Sequence, residues 1–366
     1  MALRILFLYN HNWDKEIRDF RQGTVPSHRL FGLAGVEAAG HQAFTCPKPN
    51  YPSLFTKKPF FWRIYQAIFA ALHQNRIDCI VATHEASALP VLLLKCLGLL
   101  RTPVVVMNVA LLHPKQCVGL RKWLWKQGLP CAEAIVSYAS AQLEWLMTEF
   151  SLNHNRLFFI PLGVDTRFFA PVTSPTKAVE ERQGFCLSVG TNDGKDYRAL
   201  IKALPDGIKL IIVTDHYNKK IINKYLNGRT DIDVRHDIPI DHLRTLYQEA
   251  SLQIIPLLNT RFSSGQTVLL ENMALGKAVV VSRTAATSDY VEDGVTALVI
   301  EANDVETLRQ RVAEVFKDPQ RREQIGAQAS EKVRSCFSSE RFSQELISVV
   351  EHAITAAKKE PLPEPN

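Results

Sequence analysis

Short apolar runs alternate with amphipathic runs along most of the chain. Arg4–Tyr9 predicts a strand, and Ser27–Gly40 predicts a helix with Ser27 as N-cap and Gly40 as C-cap. Gln42–Cys46 follows as a strand, Phe60–Asn75 as a helix, Asp78–Ala82 as a strand and Ala86–Leu99 as a helix. The series continues with strands at Pro103–Val109, Ala134–Tyr138 and Leu157–Pro161, and helices at Gly119–Gln127 and Ala139–Phe150. Continuous runs such as Val104-Val105-Val106 predict strands covered on both faces, hence a parallel sheet.

The alternation breaks at Ala170–Thr176, a linker by composition, and then restarts. Strands are predicted at Phe185–Val189, Leu210–Thr214, Asp233–Arg235, Leu252–Pro256, Ala278–Ser282 and Ala297–Ile300. Helices are predicted at Tyr197–Leu204, Lys219–Leu226, Asp241–Ala250 and Thr267–Leu275, and then within 304–317, 319–336 and 339–357. Two consecutive βαβ series predict an α/β protein of two doubly wound, Rossmann-like domains facing one cleft. The expected division is 1–165 and 166–339, with the helix at 340–358 packing back on the first domain and a disordered tail at 360–366. The length of 366 residues agrees with two cores.

Composition narrows this picture only slightly. Hydrophobic residues at 46% and charged residues at 22% exclude disorder for the bulk of the chain. No run reaches the ~18 apolar residues of a membrane span, since Lys95 interrupts the best candidate, Ala88–Leu100. The N-terminal apolar run is too short for a signal peptide. The seven cysteines make no C-x-x-C pair, which suits free thiols in a reducing cytoplasm. Charge is uneven: residues 1–175 hold 18 Lys+Arg and 10 Asp+Glu, a balance of +8, within a whole-chain net charge of +6. A basic first half invites an anionic partner. No recognition motif supports nucleic acid. Two stretches, Lys57–Tyr65 and Arg121–Lys126, interleave aromatic rings with cations and suit peripheral contact with an anionic membrane, at the inner face of which a cytoplasmic protein would lie.

Ligands of open α/β sheets bind beyond the carboxyl ends of the strands. One such place is Ser188–Tyr197, where Gly190 and Gly194 permit close backbone approach and Lys195 offers a positive charge to phosphate. Another is Thr260–Val281. Its Ser263, Ser264, Gly265, Gln266 and Thr267 would present backbone N–H groups and short side chains to an anion. Glu271, among apolar neighbours in the helix that follows, needs a partner such as ribose hydroxyls.

These residues resemble family-4 retaining glycosyltransferases of GT-B fold, also described as glycosyl transferases group 1. That family shows an E-x7-E pattern, then A-M-A-x-G-x-P-V-V, then D-Y-V-x-D-G-x-x-G-x-L-V. This chain reads Glu271-Asn272-Met273-Ala274-Leu275-Gly276-Lys277-Ala278-Val279-Val280 and Asp289-Tyr290-Val291-Glu292-Asp293-Gly294. Pro161-Leu162-Gly163-Val164-Asp165 and the helix Asp241–Tyr247 are similar to two further family motifs. The resemblance implies a nucleotide diphosphate sugar as donor and a glycan, lipid-linked or small-molecule acceptor, with no cofactor and no metal. It places Lys195 and the 264–267 backbone on the diphosphate, Glu271 on the ribose, and Asp237 and Ile238 along the base. Asn108 and His113 fall near the family's donor-facing histidine, and Gly23 and His28 lie in the loop that faces the acceptor. The first glutamate of the pair is replaced by Ser263, and Thr191 stands where the family carries an arginine, a loss that Arg261 could make good. Two other readings share the residues: a nucleotide-sugar or glycan-binding protein without turnover, supported by Ser263, and a GT-B sugar-nucleotide epimerase. Asp231-Ile232-Asp233 matches a metal motif of another glycosyltransferase fold, but it precedes a strand rather than ending one.

Overall fold

The computed structural model describes residues 2–49, 58–171, 184–191 and 193–359. Most of the linker at 170–176 and the tail at 360–366 lie outside the described residues. The chain divides into two compact units, Met1–Pro161 with Ser339–Asn366, and Leu162–Ser338. The division thus falls between Pro161 and Leu162 rather than after residue 165.

Unit 1 holds six parallel strands: β1 (Arg4–Leu8), β2 (Gln42–Thr45), β3 (Cys79–Ala82), β4 (Val104–Asn108), β5 (Ala134–Ser137) and β6 (Leu157–Phe159). Their order is β2-β1-β3-β4-β5-β6. Its helices are α1 (Asp14–Arg21), α2 (Leu33–Ala38), α3 (Pro59–Leu72), α4 (Glu85–Cys96), α5 (Gly119–Gly128), α6 (Ala141–Phe150) and α13 (Ser339–Lys359). The crossovers from β2 through to β6 all step the same way, so right-handedness puts α3, α4, α5 and α6 on one face. The β1–β2 step runs the other way and puts α2 on the opposite face, where α13 covers β3, β4 and β5.

Two departures from the pattern reading have physical causes. The helix predicted over Ser27–Gly40 is a 3₁₀ turn, Ser27–Leu30, followed by α2, with Phe31 and Gly32 between them at φ of 50° and 94°. The break admits α13: a Cβ on Gly32 would meet Leu346 at 2.6 Å, and one on Gly35 would meet Ser343 at 2.1 Å. Helix α1 is short and holds only two apolar residues, Ile17 and Phe20, of which Ile17 is buried, and the pattern missed it. The thiols also differ from expectation. Cys96 and Cys131 form a disulfide with Cα atoms 6.0 Å apart, because the end of α4 and the turn after α5 meet beside neighbouring strands. Lys95, which interrupts an apolar run, is buried against Glu133 at 2.9 Å and donates to the Thr102 carbonyl.

Unit 2 repeats the plan with β7 (Phe185–Val189), β8 (Lys209–Thr214), β9 (Ile232–His236), β10 (Leu252–Ile255), β11 (Val279–Arg283) and β12 (Leu298–Glu301). Its helices are α7 (Tyr197–Ala203), α8 (His216–Asn223), α9 (Ile240–Glu249), α10 (Gln266–Ala274), α11 (Val305–Phe316) and α12 (Pro319–Cys336). Helix α8 starts three residues before its predicted place because Asp215 caps it, accepting from the Asn218 N–H at 2.7 Å. All six strands are parallel, in the order β12-β11-β10-β7-β8-β9. The chain leaves β7 to one side and returns through β10 on the other, so β7 and β10 form the switch point, where loops diverge and open a crevice.

Candidate functional site

The loops that leave β7 and β10 are joined at this switch point. Asp196 donates its N–H to the Pro256 carbonyl and Leu258 donates to the Gly194 carbonyl, both at 3.0 Å. Lys195 and Leu257 pair as a short antiparallel bridge. Gly194 lies against Ser264 and Phe262: a Cβ there would meet the Ser264 hydroxyl at 2.6 Å. Glycine at 194 is what lets the two loops touch.

Lys195 is buried, and among the described residues its Nζ has no hydrogen-bond partner. Its stem lies over Gly190, where a Cβ would meet Lys195 Cε at 2.1 Å, so only glycine admits this rotamer. Gly190 is itself held in place, because its carbonyl accepts from the hydroxyls of Tyr197 at 2.6 Å and Thr214 at 2.7 Å. Burial pushes the Lys195 ammonium down to about 7. A buried lysine without a counter-charge is costly, and an anion within reach would relieve the cost.

The second loop ends at Gly265, whose φ of +88° turns the chain into α10. The first-turn N–H groups of Gln266 and Thr267 have no partner within the helix, which makes this end an anion-facing one. Ser264 is buried, Ser263 is half-buried, and Thr267 and Arg261 are exposed. Glu271 lies one turn further along, 3% exposed, and accepts from the Tyr247 hydroxyl of α9 at 2.9 Å. Gln266 is buried and its side chain hydrogen-bonds the Tyr290 hydroxyl, which also accepts the Leu162 N–H at 2.8 Å. The structure therefore brings together Gly190, Lys195, Ser263, Ser264, Gly265, Gln266, Thr267 and Glu271, with Arg261 at the loop surface.

Two further positions follow β9. Asp237 adopts φ of +53°, and its exposed carboxylate is 2.8 Å from His236 Nδ1. Ile238 packs partly buried against the unit core. The Asp231 and Asp233 carboxylates are each paired with an arginine, Arg229 at 2.5 Å and Arg235 at 2.7 Å. Among the described residues, no three His, Cys, Asp or Glu side chains stand together as a metal-ligating group.

The unit 1 positions are used differently. Asn108 is 1% exposed and its amide is engaged at both ends: it accepts the Leu111 N–H at 3.1 Å and donates to Gln142 at 3.3 Å. His113 Nδ1 accepts the Lys115 N–H at 3.1 Å within a loop turn. Gly23 is exposed at φ of +73°, and His28 is buried in the 3₁₀ turn. Of the two aromatic, basic stretches, Trp62 and Trp125 point inward at 4% and 1% exposure, whereas Phe60 and Trp123 stay at the surface. Lys57 lies outside the described residues.

Sequence reasoning did not see what holds these groups. Tyr247 and Tyr290 stand within the family motifs, and the structure shows that they position Glu271 and Gln266. Asp165, Asp293 and Gly294 of the same motifs work in the scaffold. Asp165 accepts the Phe168 N–H at 3.0 Å, Asp293 accepts the Val299 N–H at 2.8 Å, and Gly294 turns at φ of +74°.

Two Rossmann-like units, one carrying a buried cation and a helix N-terminus at its switch point, define a GT-B protein. Two family models cover most of the described chain: "Glycosyltransferase Family 4" over residues 27–168 and "Glycosyl transferases group 1" over 188–318. The chain belongs to the family-4, group 1 glycosyltransferases. A curated relative, the MMP alpha-(1->4)-mannosyltransferase of Mycolicibacterium hassiacum, is 23% identical over 235 residues, covering 60% of this chain and 54% of the relative. The chain spans about half the length of the curated relatives it matches. Among solved structures, a sucrose-phosphate synthase from Thermosynechococcus elongatus superposes with a TM-score of 0.76 at 18% identity, over 97% of this chain and 100% of that one. Anabaena HepE in complex with UDP-glucose gives 0.71 at 16% identity, over 96% and 100%. At these identities the solved structures speak to the fold.

Proposed function

We propose that the chain is a retaining hexosyltransferase that moves a sugar from a nucleotide diphosphate donor to a hydroxyl of a glycan, lipid-linked or small-molecule acceptor. The observation that carries this reading is the buried Lys195 Nζ, without a hydrogen-bond partner among the described residues, on a loop that pairs with the loop leading into α10. Protonated, it would offer a diphosphate a cation to set with the N-terminal end of α10, a pairing that suits phosphate. Glu271, oriented by Tyr247, would accept hydrogen bonds from the ribose. Asp237 and Ile238 would line the base.

Catalysis in this reading is electrostatic. As the bond from sugar to diphosphate breaks, negative charge grows on the leaving phosphate, and Lys195 with the α10 N–H groups stabilises it. The positive charge developing on the sugar is met by the departing phosphate; the acceptor hydroxyl would bond to the sugar carbon from that same face and give its proton to the phosphate, so no protein nucleophile is called for. Ser263 and Ser264 supply neutral hydroxyls where the family has a carboxylate. The reading calls for no cofactor and no metal beyond the donor. UDP is the first nucleotide to try, since Anabaena HepE was solved with UDP-glucose. Unit 1 would hold the acceptor, and a cytoplasmic protein at the membrane's inner face suits a lipid-linked one.

Ser263 favours a second reading, a nucleotide-sugar-binding protein without turnover. A thermal-shift panel of UDP, GDP, ADP and CMP with their sugars identifies the donor, and release of free nucleotide from it separates the readings. Slow release that rises with added acceptor supports transfer. Tight binding without release under any acceptor, and without gain in Ser263→Glu, favours binding alone.

A further inference from the structure

Apart from Tyr217 and Tyr225 of unit 2, the exposed large apolar side chains of the described residues gather in unit 1. On α3, Phe60, Ile68 and Leu72 lie on an outward stripe at spacings of eight and four residues, with exposures of 63%, 48% and 77%. On α5, Leu120 and Trp123 face outward at 71% and 56%. Helix α4 packs between these two, and its end adds Leu97 at 66%. These three helices lie side by side on one face of the sheet, so the stripes form a broad apolar front rather than a groove.

The charge of this front is one-sided. From Lys58 to Cys131 the sequence holds nine Lys+Arg and two acids. Neither acid reaches the front unpaired: Asp78 is held by Arg4 at 2.7 Å, and Glu85 is buried at 1% exposure. Glu149 of the next helix is spent on Lys122 at 2.6 Å. Lys58, Arg121 and Lys126 remain as exposed cations around the apolar stripes.

We infer that the outer face of α3, α4 and α5 docks on an anionic lipid bilayer. Apolar side chains on a flat front enter the headgroup boundary, and cations flanking them meet lipid phosphates. A second copy of the chain fits this face poorly. A two-fold interface sets each patch against itself, so Lys58, Arg121 and Lys126 would meet like charges with no exposed acid on the three helices to answer them. The surface belongs to unit 1 and Lys195 and α10 belong to unit 2, and the inference goes beyond the donor site. The two can therefore fail separately.

The test is co-sedimentation of the full chain with vesicles of phosphatidylglycerol and phosphatidylcholine, against phosphatidylcholine alone, at low and high salt. The expected result is binding to anionic vesicles that weakens with salt, as screened charges require. Ile68→Ser, Leu72→Ser and Trp123→Ser together should weaken it at least about tenfold, since each removes an apolar anchor. Trp62 and Trp125 stay intact, so folding is kept, and an unchanged circular-dichroism spectrum and melting temperature of the variant check it. No sedimentation at low salt overturns the inference. So does equal binding by the triple variant, or a wild-type dimer that the triple variant dissolves.

Discussion

Lys195 is a destabilising residue in the nucleotide-free protein. The unfolded chain keeps the lysine proton up to its ordinary value near 10.5, and the native state keeps it only up to about 7. Between those values the native state binds fewer protons, so stability rises with pH across that window and is lowest below about 7. Lys195→Met should raise the stability of the free protein by roughly 1–3 kcal/mol near pH 6, with the gain fading by about pH 10. Urea unfolding at several pH values checks this, and a loss of stability in the variant would mean that Lys195 has a partner in the native state. Glu271→Gln should weaken nucleotide binding by about 1–3 kcal/mol, because a charge-assisted hydrogen bond becomes neutral. Tyr247→Phe should weaken it less, since it frees the Glu271 carboxylate without removing it; equal effects would place Tyr247 in direct contact with the ligand. Lys195 and Glu271 were legible in the sequence, because an isolated charge at a strand end or among apolar residues asks for a partner. Trp62, Trp125 and Asn108 were not, because composition does not say which way an aromatic ring or an amide turns.

Among the elements, strands were read within a residue or two. Buried β-branched runs such as Val279-Val280-Val281 have few alternatives to a parallel sheet. Helices were read less well where a distant segment decides their course, as α13 does at Gly32 and Gly35. The same close approach recurs in unit 2, between α10 and α12. A Cβ on Gly326 would stand 1.9 Å from the Gly276 carbonyl oxygen, backbone against backbone. Gly326→Ala should therefore cost about 2–4 kcal/mol and displace α12 from the helix that carries Glu271. Thermal unfolding measures the cost. A variant as stable as wild type would show that the two helices separate freely.

For the whole molecule, alternation of strand and helix was enough to give two doubly wound units, and right-handed crossovers set the helix faces once the strand order is known. The meeting of Ser188–Tyr197 with Thr260–Val281 is a property of topology rather than of either segment. It follows from β7 and β10 being neighbours, which the sequence does not print. Contact of Cys96 with Cys131 was hidden for the same reason. The central claim is that this junction holds a nucleotide diphosphate sugar through Lys195. Calorimetric titration of the full chain with UDP-glucose, at about pH 6 and about pH 8.5, in wild type and Lys195→Met, tests it most directly. The ligand should bind the protonated lysine, so wild-type affinity should be higher at the lower pH, with proton uptake on binding above about pH 7. Lys195→Met should bind at least about tenfold more weakly at the lower pH and lose the pH dependence. Affinity unchanged by the substitution, or equal at the two pH values in wild type, would contradict the account.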